Sequence, residues 1–380
     1  MNENKAARYQ RQVRRARALA VAARTGVLLG AIALEFPPRG LAPALRQLLP
    51  ASLAAEPAAE ALSTVVAATL AAVLLCAAAE AAALPFVWRV EFMLERRYGL
   101  SRERLRDWLR GHLLHASARR IVWWTVATGA VFLLIAYRPD EWWWLAGAGF
   151  LLAAVGRAML APRLLARWLF ETAPLQRVPL RERLELLAAR AGAPGIDIRE
   201  WRIGGRSDTA NAAVVGVGPS RRILVSDTLL QDYSDAEIEV VVAHELAHHA
   251  HRDLLQSIAL DAVVVTAACL AAHLALAGPG AGVGLPGLGD PAGLPLMALM
   301  VGVVLVGASP LTRGLSRWHE RRADRYAIRM TGNRDAFLSG LRRLAAQHLA
   351  EERPSRLVEW LFYSHPPLGA RMAAARPSED

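Results

Sequence analysis

Cysteine is scarce in this sequence: Cys76 and Cys269 are the only two among 380 residues, and both lie inside apolar stretches. We therefore expect no framework of disulfides and no metal site built on cysteine ligands. Negative charge is also in short supply, with 34 Asp and Glu against 45 Lys and Arg and a formal net charge of +11. An excess of this size raises the question of a nucleic-acid partner.

The basic residues crowd the ends of apolar segments and do not interleave with aromatic side chains. A nucleic-acid-binding motif would need that interleaving, so we expect no nucleic-acid partner. Positive charge beside apolar segments is typical of membrane proteins, whose orientation it sets. Hydrophobic residues make up 54% of the chain, more than the roughly 45–50% of ordinary soluble domains. The predicted partner is therefore a lipid bilayer.

Several apolar runs approach the length needed to cross a bilayer, because a hydrocarbon core of about 30 Å requires about 20 helical residues. The runs with charged flanks are 18–34, 62–87, 121–137, 142–160, 254–277 and 294–311. Trp142, Trp143 and Trp144 at the start of the fourth run predict an aromatic anchor at the lipid–water boundary. The sequence thus predicts a mainly α, polytopic membrane protein with about six transmembrane helices.

Orientation follows from the loops, since positively charged loops stay in the cytoplasm. Basic residues precede the first run and separate the second from the third, whereas the connection 278–293 has none. Six alternating crossings then place both termini and the region 163–253 in the cytoplasm. The first run has the basic flank of a signal peptide, but no small-residue cleavage site is evident before Glu35, which favours an uncleaved anchor. The Arg- and Ala-rich composition favours a bacterial inner membrane.

Between the fourth and fifth runs lies a region with the patterns of a soluble fold. Residues 180–191 have the periodicity of a helix, and the β-favouring runs 212–215 and 223–225 predict a hairpin. Ser234 and Glu237 form the pattern of a capping box, which predicts the start of a helix. That helix continues through a motif with chemical significance.

The motif reads His244-Glu245-Leu246-Ala247-His248. Histidines four residues apart lie on one face of a helix, so both imidazoles can bind one zinc ion. Glu245 lies one position round the helix and is suited to act as a general base on a water molecule. Two histidines and a glutamate on an otherwise apolar helix need a reason to be there, which favours a metal site over a chance pattern.

A catalytic zinc needs a third protein ligand and one open position. Glu320, directly after the sixth apolar run, is a better candidate than His251, because one straight helix cannot place three ligands around a tetrahedral ion. Asp324 lies one helical turn beyond Glu320, where it can either orient a ligand histidine or supply a proton. Acidic residues in so basic a segment are also common as surface ion-pair partners, and that alternative stays open.

Several separate motifs resemble, in order and spacing, those of the type I CAAX prenyl proteases and the heat-shock membrane proteases of bacteria. They are the segments 211–216, 223–230, 244–248, 316–324 and 364–368, with further similarity at 84–86, 92–95 and 172–175. This family consists of integral-membrane zinc metallopeptidases. The resemblance implies a zincin-like catalytic domain with a small β-hairpin or sheet, beside a cage of transmembrane helices.

The resemblance also assigns the metal and the base. It implies one Zn²⁺ per chain, bound by His244, His248 and Glu320, with Glu245 as the catalytic base.

Four further residues receive roles in the same way. The resemblance implies that Asp324 donates a proton and that His365 stabilises the oxyanion. It also implies that Asn211 and Ala212 bind a peptide substrate along a strand edge, through main-chain hydrogen bonds.

We therefore predict an N-terminal membrane domain at 1–160 with four transmembrane helices, and a metallopeptidase domain at 161–380 with two more. The predicted function is a membrane-embedded zinc metalloendopeptidase that cuts membrane-associated or C-terminal peptide segments. The alternative is a catalytically inactive scaffold or receptor that holds zinc for structure only. A transporter is disfavoured because no inverted repeat or pair of broken helices is evident. The oligomeric state is left open.

Some features depart from the family or stand out. Relatives commonly have seven spans where six are counted here, and the segment 105–114 is a candidate for a buried helix that does not span. Ala247 replaces a glycine that is frequent in relatives. Glu80, inside the second run, either lines a wet interior or lies near the membrane surface.

Overall fold

The computed structural model describes residues 3–35, 57–101, 103–168, 172–201, 211–216, 221–277, 287–347 and 349–375. The chain divides into two compact units, each built from distant stretches of sequence. The first unit comprises Met1–Gln10, Leu151–Asp261 and Ser309–Asp380, and the second comprises Arg11–Phe150 and Ala262–Ala308. The predicted domains 1–160 and 161–380 stay predictions.

Helices make up most of the described chain. In chain order they are α1 (Glu3–Glu35), α2 (Pro57–Trp88), α3 (Glu95–Tyr98), α4 (Leu105–Arg110), α5 (Ala118–Tyr137), α6 (Trp142–Trp168), α7 (Val178–Arg190), α8 (Asp227–Asp232), α9 (Asp235–Ala250), α10 (Asp253–Ala277), α11 (Leu294–Thr331), α12 (Arg334–Gln347), α13 (Arg356–Phe362) and α14 (Leu368–Ala374). Two π-helical segments, Arg89–Leu94 and Gly111–Ser117, join α2 to α3 and α4 to α5.

Six helical stretches of the described chain are long and apolar enough to cross a membrane. They are Lys5–Leu34, Glu60–Tyr98, Leu105–Tyr137, Trp142–Leu160, Asp253–Ala277 and Pro291–Thr331. The prediction of six spans is confirmed. The segment 105–114 is not a separate buried helix, because it continues into the third span and its Leu113 and Leu114 side chains are exposed.

In the second unit, α6 begins with tryptophans, of which one is buried and another is exposed. Trp142 is almost fully buried in an apolar cluster, and its indole N–H donates to Nδ1 of His273 at 3.1 Å. Trp144 is exposed. The prediction of an anchor at the lipid boundary was therefore wrong for Trp142, whose indole finds its polar partner inside the unit.

Glu80 of α2 has two cationic partners in the same unit. Its carboxylate lies 3.2 Å from Arg24 and 2.6 Å from Arg120, and Ser117 donates to it at 3.3 Å. The Glu80 side chain is 15% exposed. An acidic group inside an apolar segment is thus compensated by opposite charge, as the cost of an unpaired charge in lipid requires.

The first unit contains a four-stranded sheet. Its strands are β1 (Thr172–Pro174), β2 (Asp197–Trp201), β3 (Ala212–Val215) and β4 (Arg222–Ser226). The strand order is β1-β2-β4-β3. β3 and β4 pair antiparallel with Ala212 opposite Val225, so the predicted hairpin is confirmed, whereas β1 and β2 were not predicted. β3 forms one edge of the sheet.

Helix α9 lies in the core of the first unit because its inner face is apolar. The side chains of Ile238, Val242 and Leu246 are buried there together with strand and helix residues. The predicted capping box is present: Ser234 accepts from the backbone N–H of Glu237, and Glu237 accepts from that of Ser234. The cap satisfies backbone N–H groups that the first turn of a helix leaves free.

Candidate metal centre

Two helices bring three metal-binding side chains together. α9 carries His244 and His248, and α11 carries Glu320. The Nε2 atoms of the histidines are 3.3 Å apart. The Glu320 carboxylate oxygens lie 3.4 Å from Nε2 of His244 and 3.6 Å from Nε2 of His248. Among the described residues, this is the cluster of His, Cys, Asp and Glu compatible with a metal ion.

These separations fit a zinc ion. With bond lengths near 2.0–2.1 Å, the ligand atoms of a tetrahedral zinc site lie about 3.3 Å from one another. Two imidazole nitrogens and one carboxylate also form a donor set that leaves the fourth position open, as in catalytic sites. The three residues predicted as ligands therefore have both the geometry and the chemistry for the group.

Asp324 lies behind His244. Its Oδ1 atom is 3.0 Å from Nδ1 of His244, at an angle outside hydrogen-bond geometry. Burial alone would lower the pKa of His244, but the carboxylates of Asp324 and Glu320 outweigh burial and raise that pKa to about 9. Arg371 of α14 donates to both oxygens of Asp324, at 2.6 and 2.8 Å. The surroundings of His244 thus favour positive charge, which suits a cation site.

Asp253 has the same place behind His248, and sequence reasoning missed it. The Nδ1 of His248 donates to Oδ2 of Asp253 at 2.8 Å, and Arg322 donates to the other oxygen. Asp253 is buried although it is ionisable. An acidic residue shortly after the second histidine was a usable signal, since metal-binding imidazoles usually donate their second N–H to a carboxylate.

Glu245 and His365 both lie close to the metal-binding cluster. Burial raises the pKa of Glu245 above its usual value, and the neighbouring histidines only partly offset this. The Nδ1 of His365 is 3.0 Å from Oε2 of Glu320. His365 precedes α14 and is largely exposed. The two residues predicted to act as the base and as the oxyanion group are therefore brought to the same place.

Asn211 and Ala212 lie at the start of the edge strand β3. The N–H of Asn211 donates to Oγ of Ser226, and its C=O accepts from the N–H of Ser226, both at 2.9 Å. Backbone groups alternate in direction along an antiparallel strand. Since Asn211 faces β4, the backbone groups of Ala212 and Val214 point outward from the sheet.

One of the outward-pointing backbone groups, the C=O of Val214, already accepts a hydrogen bond. The Nε2–H of His249, on the catalytic motif's helix α9, donates to the C=O of Val214 at 2.8 Å. Burial lowers the pKa of His249, which favours the neutral ring. His251, the other candidate ligand, packs against the Tyr326 ring at 5.4 Å and is outside the cluster of metal-binding residues. Sequence reasoning did not identify the His249 contact, because it depends on how α9 meets the sheet.

Comparison with known proteins agrees with this arrangement. Residues 174–379 match the model of peptidase family M48. The metalloprotease YhfN of Bacillus subtilis, described as uncharacterized, is 25% identical over 312 residues, which are 78% of this chain and 70% of that protein. Protease HtpX of Yersinia enterocolitica is 31% identical over 202 residues, which are 48% of this chain and 64% of HtpX, just under two thirds of its length.

The fold has a counterpart among solved structures. The crystal structure of S. mikatae Ste24p matches with a TM-score of 0.67 and 20% sequence identity, over 80% of this chain and 74% of that chain. At this identity the likeness concerns the fold. Together with the family match over more than half of the chain, these similarities confirm the resemblance read from the motifs. The chain belongs to peptidase family M48 and is an integral membrane zinc metalloprotease.

Proposed function

We propose that this protein is an endopeptidase that binds one Zn²⁺ per chain through His244, His248 and Glu320. The observation that carries the proposal is the close approach of the three side chains from two helices. The two Nε2 atoms are 3.3 Å apart, and the two Glu320 oxygens lie 3.4 and 3.6 Å from them. When bound, zinc lowers the pKa of water toward 7 and polarises the carbonyl of the scissile bond.

Glu245 acts as the general base in this proposal. Its side chain leaves the motif's helix beside the two histidines, so it accepts a proton from the attacking water and passes it to the leaving amine. In the same proposal, His365 donates a hydrogen bond to the oxygen that becomes negative as the carbonyl is attacked. Its exposure leaves it free to turn toward a substrate.

Asp324 is better suited to position His244 than to donate a proton. Both of its oxygens accept hydrogen bonds from Arg371, and one lies against the His244 ring. A carboxylate held by an arginine stays ionised and has no proton to give. We therefore assign the orienting role, one of the two that its spacing from Glu320 allowed.

The peptide binds along β3 in this proposal. The backbone groups of Ala212 point away from β4 along this edge, and Asn211 stands beside them with an exposed side chain. Strand addition gives affinity through main-chain hydrogen bonds and requires little of the substrate's sequence. The substrates we infer are membrane-associated or C-terminal peptide segments, because the protease is itself embedded in the bilayer.

The location that we propose is a bacterial inner membrane with the metal centre on the cytoplasmic side. Basic residues in the loops before the first span and between the second and third support this orientation. Removal or processing of membrane peptides fits a bacterial cell better than cleavage of prenylated proteins.

The test is cleavage of a fluorogenic peptide and of a membrane-protein substrate by purified wild type and Glu245→Gln. Zinc is measured on both by mass spectrometry. We expect the variant to keep one zinc per chain while kcat/KM falls by at least about a hundredfold. Glu239→Gln makes the same change on the same helix, outside the metal centre, and should cut at the wild-type rate.

A zinc-holding scaffold is the competing function. It has no use for Glu245 beside the metal, and a structural site would close its fourth position with a protein side chain. The scaffold replaces the protease proposal if the wild type and Glu245→Gln both hold zinc and neither cuts any of the substrates.

A further inference from the structure

Helix α13 exposes its apolar side chains. Five of its seven residues are apolar, and none of the seven is buried. Leu357 is 64% exposed, Trp360 52% and Phe362 46%. Leu357 and Trp360 are three residues apart and therefore lie on one side of the helix. We refer to these two side chains as the α13 face. A cluster of large exposed apolar groups on one element marks an interaction surface.

Two arginines of α11 hold the C-terminal end of α13. Arg317 donates to the C=O of Glu359 at 3.1 Å and to that of Tyr363 at 2.6 Å, and Arg313 donates to that of Leu361. The last carbonyls of a helix lack partners within it, so the bonds to Leu361 and Tyr363 satisfy groups that would otherwise need water. The C=O of Glu359 accepts from the N–H of Tyr363 as well. The position of α13 along α11 is therefore fixed at Arg313 and Arg317.

That position corresponds to the edge of the bilayer. The sixth apolar run ends at Leu311, and a helix rises 1.5 Å per residue, so Arg313 and Arg317 lie about 3 and 9 Å beyond the run. The headgroup layer on each side of the hydrocarbon core is about 5–8 Å deep, so Arg313 lies within it and Arg317 at its outer boundary. Apolar exposure also continues along α11 at this level, since Leu311 and Trp318 are both exposed.

The residue types on and beside α13 are those expected at a lipid surface. Tryptophan is enriched where a protein meets the boundary of the bilayer. Arg353 and Arg356, at the N-terminal side of α13, are exposed and carry positive charge. Basic groups beside an apolar helical face are attracted to anionic headgroups.

We propose that the α13 face lies in the membrane–water interface, in the leaflet from which the sixth span emerges. α13 is then a second membrane contact, in the plane of the bilayer, besides the spanning helices. It is followed after two residues by His365, which contacts Glu320. The bilayer therefore holds the segment that carries this histidine against the metal centre, and chains leaving the membrane reach the centre close to the lipid surface. The proposal holds whether or not the protein cuts peptides.

The test measures the surroundings of one labelled position at a time in the full chain. Cys76→Ala and Cys269→Ala remove the native thiols, and an environment-sensitive fluorophore is attached after Trp360→Cys. The protein is placed in vesicles of phosphatidylcholine and phosphatidylglycerol. Glu185→Cys, on an exposed position of α7, is the control.

We expect a label at position 360 to emit at shorter wavelength than one at 185, and to be quenched by lipids that carry a nitroxide near the headgroup. Iodide in the water should quench it at least about threefold less than at 185. Leu357→Cys should repeat this result. Circular dichroism on each variant shows that the fold is kept.

Two outcomes overturn the proposal. If iodide quenches the labels at 357 and 360 as strongly as at 185, the α13 face is in water. If iodide and nitroxide lipids both fail to quench them, protein covers the face, and cross-linking between two labelled chains identifies a second copy as the occupant.

Discussion

The Nδ1 of His248 donates to Asp253 at 2.8 Å, and Arg322 holds the same carboxylate from its other side. The imidazole is thereby fixed with Nε2 directed at His244 and Glu320. A carboxylate behind a metal-binding histidine sets its tautomer and ring orientation and makes it a better ligand. We propose for these reasons that Asp253 is a positioning residue of the metal centre.

Replacing Asp253 should weaken zinc binding. We expect Asp253→Asn to raise the Kd for zinc by about 10- to 100-fold, since the amide keeps the shape but loses the charge that supports the imidazole. Competition with a zinc-binding dye measures the Kd without reference to activity. Asp335→Asn, the same change at an exposed position of α12, is the matched control.

An unchanged Kd in Asp253→Asn would mean that the Asp253 carboxylate serves only as the ion-pair partner of Arg322 and does not support zinc binding. Supplying excess zinc separates the two readings, because saturating metal restores cleavage if only affinity was lost.

Arg371 contacts Asp324, the carboxylate that lies behind His244. It binds both oxygens of Asp324, a two-point contact that lysine cannot make. We expect Arg371→Lys to keep the charge, loosen Asp324 and raise the zinc Kd by about three- to tenfold. Arg329→Lys, on an exposed position of α11, should leave it unchanged. Equal zinc affinity in the two variants would contradict a role for the two-point contact.

Much of the metal centre was predictable because its spacing is local. His244 and His248 share a helix face whatever the tertiary structure, and the capping box at Ser234 predicts where that helix begins. Glu320 needed the family motif as well, since it comes from another helix. The six spans followed from length and apolar composition alone.

The partners behind the ligands were not predictable in the same way. Arg371 meets Asp324, and Arg322 meets Asp253, across 47 and 69 residues of sequence. No periodicity connects such pairs, and only the packing of α14, α11 and α10 brings them together. The short strands β1 and β2 were missed for a related reason: their residues form strands through pairing with β4 and with each other, not through β-propensity.

His249 offers a test of the substrate strand. It occupies the C=O of Val214, the outward acceptor next after Ala212 along the edge. We expect His249→Ala to free this acceptor for a substrate N–H. One hydrogen bond is worth about 0.5–1.5 kcal/mol, so KM should fall by about two- to tenfold for peptides that reach Val214 and stay the same for shorter ones.

The peptide-length series is the control within that experiment. A rise in KM for peptides of every length would mean that His249 serves to hold β3 against α9. A change in kcat with constant KM would place its effect on the metal centre, through the neighbouring His248.

Glu80 is expected to be a stability determinant of the second unit. Removing its charge leaves Arg24 and Arg120, whose side chains are 34% and 38% exposed, without their partner beside a side chain that is 15% exposed. Losing the charged partner of such partly buried groups costs about 1–3 kcal/mol. Glu80→Gln should therefore lower the Tm in detergent by several degrees, whereas Glu60→Gln, the same change at an exposed position of α2, should not. The loss of the Glu80 charge has a second consequence, because Arg24→Gln in the Glu80→Gln background removes one of the two orphaned cations and should recover part of the lost Tm. Additive losses in the double variant would show that the three charges are solvated independently, and that the close distances do not contribute to stability.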